Sequence, residues 1–198
     1  MRLEQLTLDT LTPEQRELYD AIVGRDPSPN RNPTGVADAE GRLQGPFNAM
    51  LHNPRIGAPL QRLGGVLRFR GSLPARAREL VILTVAAAWE SEFEWFAHVR
   101  IGRDVGITDD EIDAIRHSVP LAVADPVEQA ALAVARAAAT AADLNDDEYA
   151  HARDALGDQM LIEALTLFSY YSLLALQMRV FRVPLPDGAE HSFALTPE

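Results

Sequence analysis

Residues 76–112 read RARELVILTVAAAWESEFEWFAHVRIGRDVGITDDEI, and the fold turns on how this stretch is read. Leu80–Trp89 is apolar around nearly the whole circumference of a helix, as expected of a central helix packed on all sides. Glu79 stands at its entrance. At about 100° per residue it shares a face with Ile82, Leu83 and Ala86, so its carboxylate should point into packed protein. The run that follows, WESEFEWFAH, mixes glutamates with large aromatics and ends in a histidine. On a helix begun at Ser91, the residues Ser91, Glu94, Trp95, His98, Gly102 and Val105 fall on one side. Arg100, Arg103 and Asp104 fall opposite and mark the solvated face. Glu94 and His98 are thus cleft-facing, one turn apart and able to hydrogen-bond, while Gly102 should leave space above the imidazole.

Outward from this pair, helix punctuation is legible. Thr12-Pro13-Glu14-Gln15 supplies a cap, a first-turn proline and a capping-box glutamine for a helix that Gly24 closes. Asn53-Pro54 opens a second, ended by Gly71. Ser72-Leu73-Pro74 starts a third that runs to about Trp89. Ser91 caps a fourth ended by Gly106, Thr108–Glu111 caps a fifth, Asp125-Pro126 opens a sixth, and Asn145 and Asp158 cap the last two. No stretch from 47 to 182 alternates with the period of a strand. The expectation is a single all-α domain of about eight helices, its core over 45–182. Its central helices, 74–89 and 91–106, should be antiparallel about Glu90-Ser91. Residues 25–46 read as a long irregular loop and 184–198 as an irregular tail.

Length and composition set limits on function. The 198 residues suffice for one domain with its own core. The 18 basic residues are all arginine, against 29 acidic ones, for a net charge of −11. That field repels nucleic acid and anionic membranes, and an anionic small molecule would need a local arginine. Cysteine is absent, which removes disulfides, cysteine nucleophiles and thiol peroxidase chemistry. MRLEQLTLDTLTPEQ lacks the apolar run of a signal peptide, so a cytoplasmic location is expected. Leu161–Met178 is broken by Glu163, Ser169, Tyr170, Tyr171, Ser172 and Gln177, and reads as a core helix, not a membrane span. Phe93 and Phe96, set toward the outward side of their helix, and Leu161–Met178, apolar on more than one face, suggest a homo-oligomer.

The residues leave two readings of Glu94 open. Ser91-Glu92-Phe93-Glu94 fits a capping box, in which Glu94 only returns a bond to the cap amide. Alternatively Glu94 and His98, with the inward Glu79, form an acid–base set. Glu90 and Glu92 read as solvated, and Trp89, Trp95 and Phe96 as packing residues that could also wall a substrate.

The segment quoted above resembles the core of the carboxymuconolactone decarboxylase and alkylhydroperoxidase D superfamily, and GPFNAMLHNPRIGAPL (45–60) resembles its decarboxylase-like members. The resemblance matches Glu79 and His98 to the glutamate and histidine of the peroxidase branch. Ser91 and Glu94 occupy its two cysteine positions. Without thiols the resemblance points to the decarboxylase-like branch: cofactor-free, metal-free loss of CO₂ from a small anionic, γ-carboxylated unsaturated lactone. His98 is then the acid, Glu94 its orienting partner and Glu79 a second proton-handling carboxylate. Trp89, Ser91, Trp95, Phe47 and His52 are candidates to line the substrate, and the resemblance implies that the homo-oligomer is a trimer or hexamer. A lactone hydrolase, isomerase or cyclase, a weak Glu–His metal site, and a non-catalytic assembly remain as rivals.

Overall fold

The computed structural model describes residues 1–24 and 36–193. Residues 25–35 of the expected loop and 194–198 of the tail lie outside the described residues. The described chain is all-α. A 3-10 turn at Leu8–Thr10 is followed by α1 (Pro13–Val23), α2 (Pro46–His52), α3 (Pro54–Phe69), α4 (Ala75–Ala88), α5 (Glu92–Asp104), α6 (Asp109–Arg116), α7 (Pro126–Ala141) and α8 (Asp146–Phe181). Among the described residues the sole β feature is an isolated bridge between Ala37 and Leu43.

The caps read from sequence form at four helices. Thr12 and Gln15 bond reciprocally at α1, Thr108 and Glu111 at α6, and Asn145 and Glu148 at α8, while Asp125 accepts from two amides of α7. Two boundaries differ from expectation. The segment 46–52 is a helix of its own, because Gly45 turns the chain at φ 58° and Pro46 starts a helix that ends against Asn53. The last two helices form one run, broken at Gly157 (φ 65°, ψ 170°).

α4 is the centre. Leu80–Ala86 are all buried, and the helix separates two hydrophobic clusters. Ala77, Val81, Ile82 and Val85 face the larger one, shared with α1, α2, α3, α7 and α8; Leu80, Leu83 and Ala86 face a smaller one with Trp95, Ile107, Ile112 and Ile115. Glu79 shares its helix face with Ile82 of the first cluster and with Leu83 and Ala86 of the second. The turn into α5 is a Schellman motif with Glu90 left-handed at φ 49°: the Ser91 amide donates to the Ala86 carbonyl at 2.8 Å and the Glu90 amide to Ala87 at 3.1 Å. This tight reversal lays α5 back along α4, as the sequence predicts. α8 is apolar and long enough to cross a membrane by composition alone, but Leu161, Ala164, Leu167, Tyr170, Tyr171, Leu174, Ala175 and Met178 are buried in this domain.

Phe93 is not outward-facing. It is buried in the main cluster, and its ring fills the space beside Gly45 that a Cβ there would occupy. The tail is irregular but docked: the amides of Ser192 and Phe193 donate to the two oxygens of Glu92 at 2.8 and 2.9 Å, so Glu92 is engaged and not merely solvated.

Candidate active site

The reversal at Glu90-Ser91 brings Glu79 of α4 against His98 of α5. His98 Nδ1 lies 2.6 Å from Glu79 Oε2, with both residues buried. With Glu79 a carboxylate, Nδ1–H is the donor and the imidazole is fixed in one tautomer and orientation, leaving Nε2 for chemistry. Tyr171 of α8 packs edge-on to the imidazole (centroids 5.1 Å apart, planes at 90°), and Tyr170 packs edge-on to Tyr171 at 5.4 Å. Burial pushes both phenols up, Tyr170 to about 12, so each is a neutral O–H donor at neutral pH.

Glu94 is the anomaly. It is 3% exposed, yet neither of its oxygens has a hydrogen-bond partner. Ser91 Oγ, also buried, has none of good geometry, and the Ser91 side chain caps nothing. The capping box that the sequence permits therefore does not form: Glu94 is turned into protein instead of back onto its own helix end. Nor does it orient His98, because Glu79 fills that role. Removing a carboxylate from water without a partner disfavours its charge, and burial pushes the Glu94 carboxyl up to about 8, with Ser91 weakly opposing. At neutral pH it is a protonated acid, one turn from a fixed imidazole.

Arg78 completes the surroundings. Its Nε is buried without an acceptor and lies 3.8 Å from Glu79 Oε1, too far for a hydrogen bond.

The other candidates are placed elsewhere. Trp95 is buried in the smaller cluster under Phe193 (centroids 5.3 Å), and Trp89 packs half-buried against the larger one. Phe47 also packs half-buried on the main cluster; His52 is exposed, its Nε2 2.9 Å from the Glu4 carbonyl. Gly102 opens no space, since a Cβ there would meet Leu83 and Ile107 at 3.3 Å. A cleft of about 720 Å³ beside Phe96, Arg100 and Arg116 is not lined by Glu79, Glu94 or His98. Among the described residues no group of three or more His, Asp or Glu is disposed to hold a metal ion.

Sequence reasoning missed Tyr170, Tyr171 and Arg78. The tyrosines were visible only as polar interruptions in an apolar helix, and Arg78 as the neighbour of Glu79.

Comparison with known proteins bears on the fold and on the segment that carries these residues. Residues 54–137 match the carboxymuconolactone decarboxylase family. No curated protein matches the chain. Among solved structures, the alkylhydroperoxidase AhpD core of an uncharacterized peroxidase-related protein from Ralstonia eutropha JMP134 superposes with a TM-score of 0.73 at 18% identity, covering 94% of this chain and 92% of that one. A protein of unknown function from Agrobacterium tumefaciens gives 0.62 at 18% identity over 72% of this chain and 99% of its own. The debrominase Bmp8, as an alanine variant with 2,3,4-tribromopyrrole, gives 0.68 at 12% identity over 94% and 92%. Residues 54–137, which carry Glu79, Glu94 and His98, are thus similar to the carboxymuconolactone decarboxylase family, and the all-α fold is similar to that of the AhpD core.

Proposed function

We propose that the protein is a cofactor-independent decarboxylase of a small γ-carboxylated unsaturated lactone. The observation that carries this reading is Glu94, a buried, unpartnered and protonated carboxyl one turn from an imidazole that Glu79 holds in place. Breaking the bond from the γ-carbon to its carboxylate releases CO₂ and leaves an electron pair. The pair moves through the ring alkene to the lactone carbonyl oxygen, giving a dienolate. A proton delivered to the α-carbon then yields the lactone with its alkene shifted by one bond. Glu94 is the proton source and is reprotonated from solvent. His98, presenting Nε2, steadies the developing oxyanion, and the Tyr171 hydroxyl is a second neutral donor at this site.

Because cysteine is absent, a dithiol relay cannot operate on this scaffold. The test is to incubate the protein with such a lactone in D₂O and follow the products by NMR. CO₂ release with one deuterium at the α-carbon is expected. His98→Ala and Glu94→Gln should each lower kcat by roughly 10²-fold or more, and the double variant should fall far short of the product of the two. Ring opening without CO₂ loss would replace this reading with a hydrolase.

A further inference from the structure

We propose that Arg78 is the anion-binding residue of this site, holding a carboxylate of the ligand while Glu79, His98 and Glu94 face its reacting atoms. The inference rests on the acid–base reading above and names the cation which that reading lacks. The chain carries a net charge of −11, and Glu79 lies in the site itself, so an anionic ligand entering it needs a compensating charge close by. Arg78 is that charge. It follows Ala77 into the buried part of α4, and its side chain is 17% exposed. Its Nε is shut off from solvent yet donates to nothing. Glu79, the adjacent acid, has committed Oε2 to His98, and its Oε1 stays 3.8 Å from that nitrogen.

A buried donor on a charged group left unmet is costly, and here it lies 3.8 Å from the buried Glu79 that holds His98. Nε together with one terminal nitrogen of a guanidinium presents a parallel pair of N–H bonds matched to a carboxylate. Arg68, whose charge acts on Tyr170 and Tyr171, reaches the site from α3 and lies over the Phe69 ring at 5.1 Å, and two other arginines are bonded. Arg76 is bonded to Glu111, Glu128 and the Gly106 carbonyl, and Arg179 donates to the Trp89 carbonyl.

Binding of furan-2-carboxylate and of the neutral furan-2-carboxamide to the full-length protein, followed by ligand-observed NMR, tests the assignment without requiring turnover. Arg78→Gln should weaken the carboxylate at least tenfold and leave the carboxamide within about twofold, with Arg78→Lys intermediate because a point charge replaces the fork. Should the Gln variant fail to fold, the Lys variant carries the test, with a loss of about threefold or more for the carboxylate alone. Failure of the wild type to bind the carboxylate, or an equal effect of substitution on both ligands, overturns the proposal; the latter would make Arg78 a structural partner of Glu79. If the carboxylate binds through Arg78 but no lactone is decarboxylated, the anion site stands and the proposed reaction falls. Turnover with an unchanged KM in Arg78→Gln has the opposite meaning.

Discussion

A carboxyl group buried without a partner makes stability depend on pH, and the sign at Glu94 can be worked out. The group releases its proton near 4.5 when the chain is unfolded and near 8 when it is folded. Between those values the folded state holds one proton more than the unfolded state, so stability falls as pH rises, by up to roughly 1.4 kcal/mol per pH unit from this residue. Below and above that window its contribution is flat. Glu94→Gln cannot ionise, so the melting temperature of the variant relative to wild type should climb steadily from about pH 5 to about pH 8. An offset that stays constant with pH would show that Glu94 ionises freely, and would remove it as the acid. The position of Glu94 was legible, since the helical wheel puts it beside His98. Its state was not, because Ser-x-x-Glu describes equally well a cap bonded to its own helix and an acid turned inward. The partner of His98 was hidden for a related reason. A wheel shows neighbours within one helix, whereas Glu79 reaches His98 from 19 residues earlier in the chain, across the reversal.

At the scale of elements, Arg76 fastens the start of α4 to three others. It donates to Glu111 of α6, to Glu128 of α7 and to the Gly106 carbonyl after α5, with all three side chains largely covered. Arg76→Met keeps the aliphatic stem but leaves two carboxylates facing each other. The expected loss is about 2 kcal/mol, between the surface and buried limits for ion pairs, or a melting temperature lower by roughly 4–8 °C at neutral pH. A change of less than about 1 °C would mean that packing alone sets the angle of α4. Helix ends were the best-read part of this fold, because an N-cap is a local contract between residues three apart. α2 escaped notice because it is only 7 residues long and has no side-chain cap, and because Asn53 both ends it and precedes α3. Tyr170 and Tyr171 escaped because α8 is apolar on more than one side, so its pattern does not say which side meets the site.

The molecule as a whole leaves apolar surface uncovered. Ile162, Leu165, Leu173, Leu176 and Val180 run along one strip of α8, and Ile56, Leu63, Val66 and Phe69 lie exposed on α3. With Phe93 buried, these residues, not the start of α5, motivate the expected homo-oligomer. Light scattering at micromolar concentration should give three or six times 21.7 kDa, and Ile162→Glu combined with Leu173→Glu should return the monomer mass. A monomer in the unaltered protein would leave the strip unexplained. One further consequence comes from the docked tail. Glu92 seats Ser192 and Phe193 on the first turn of α5, and Phe193 roofs Trp95, one residue after Glu94 and three before His98. The chain thus carries an optical gauge. Phe193 covers one side of Trp95 while the tail is seated, so a red shift of its emission should record the lifting of residues 192–193 from the helix that holds the acid and the imidazole.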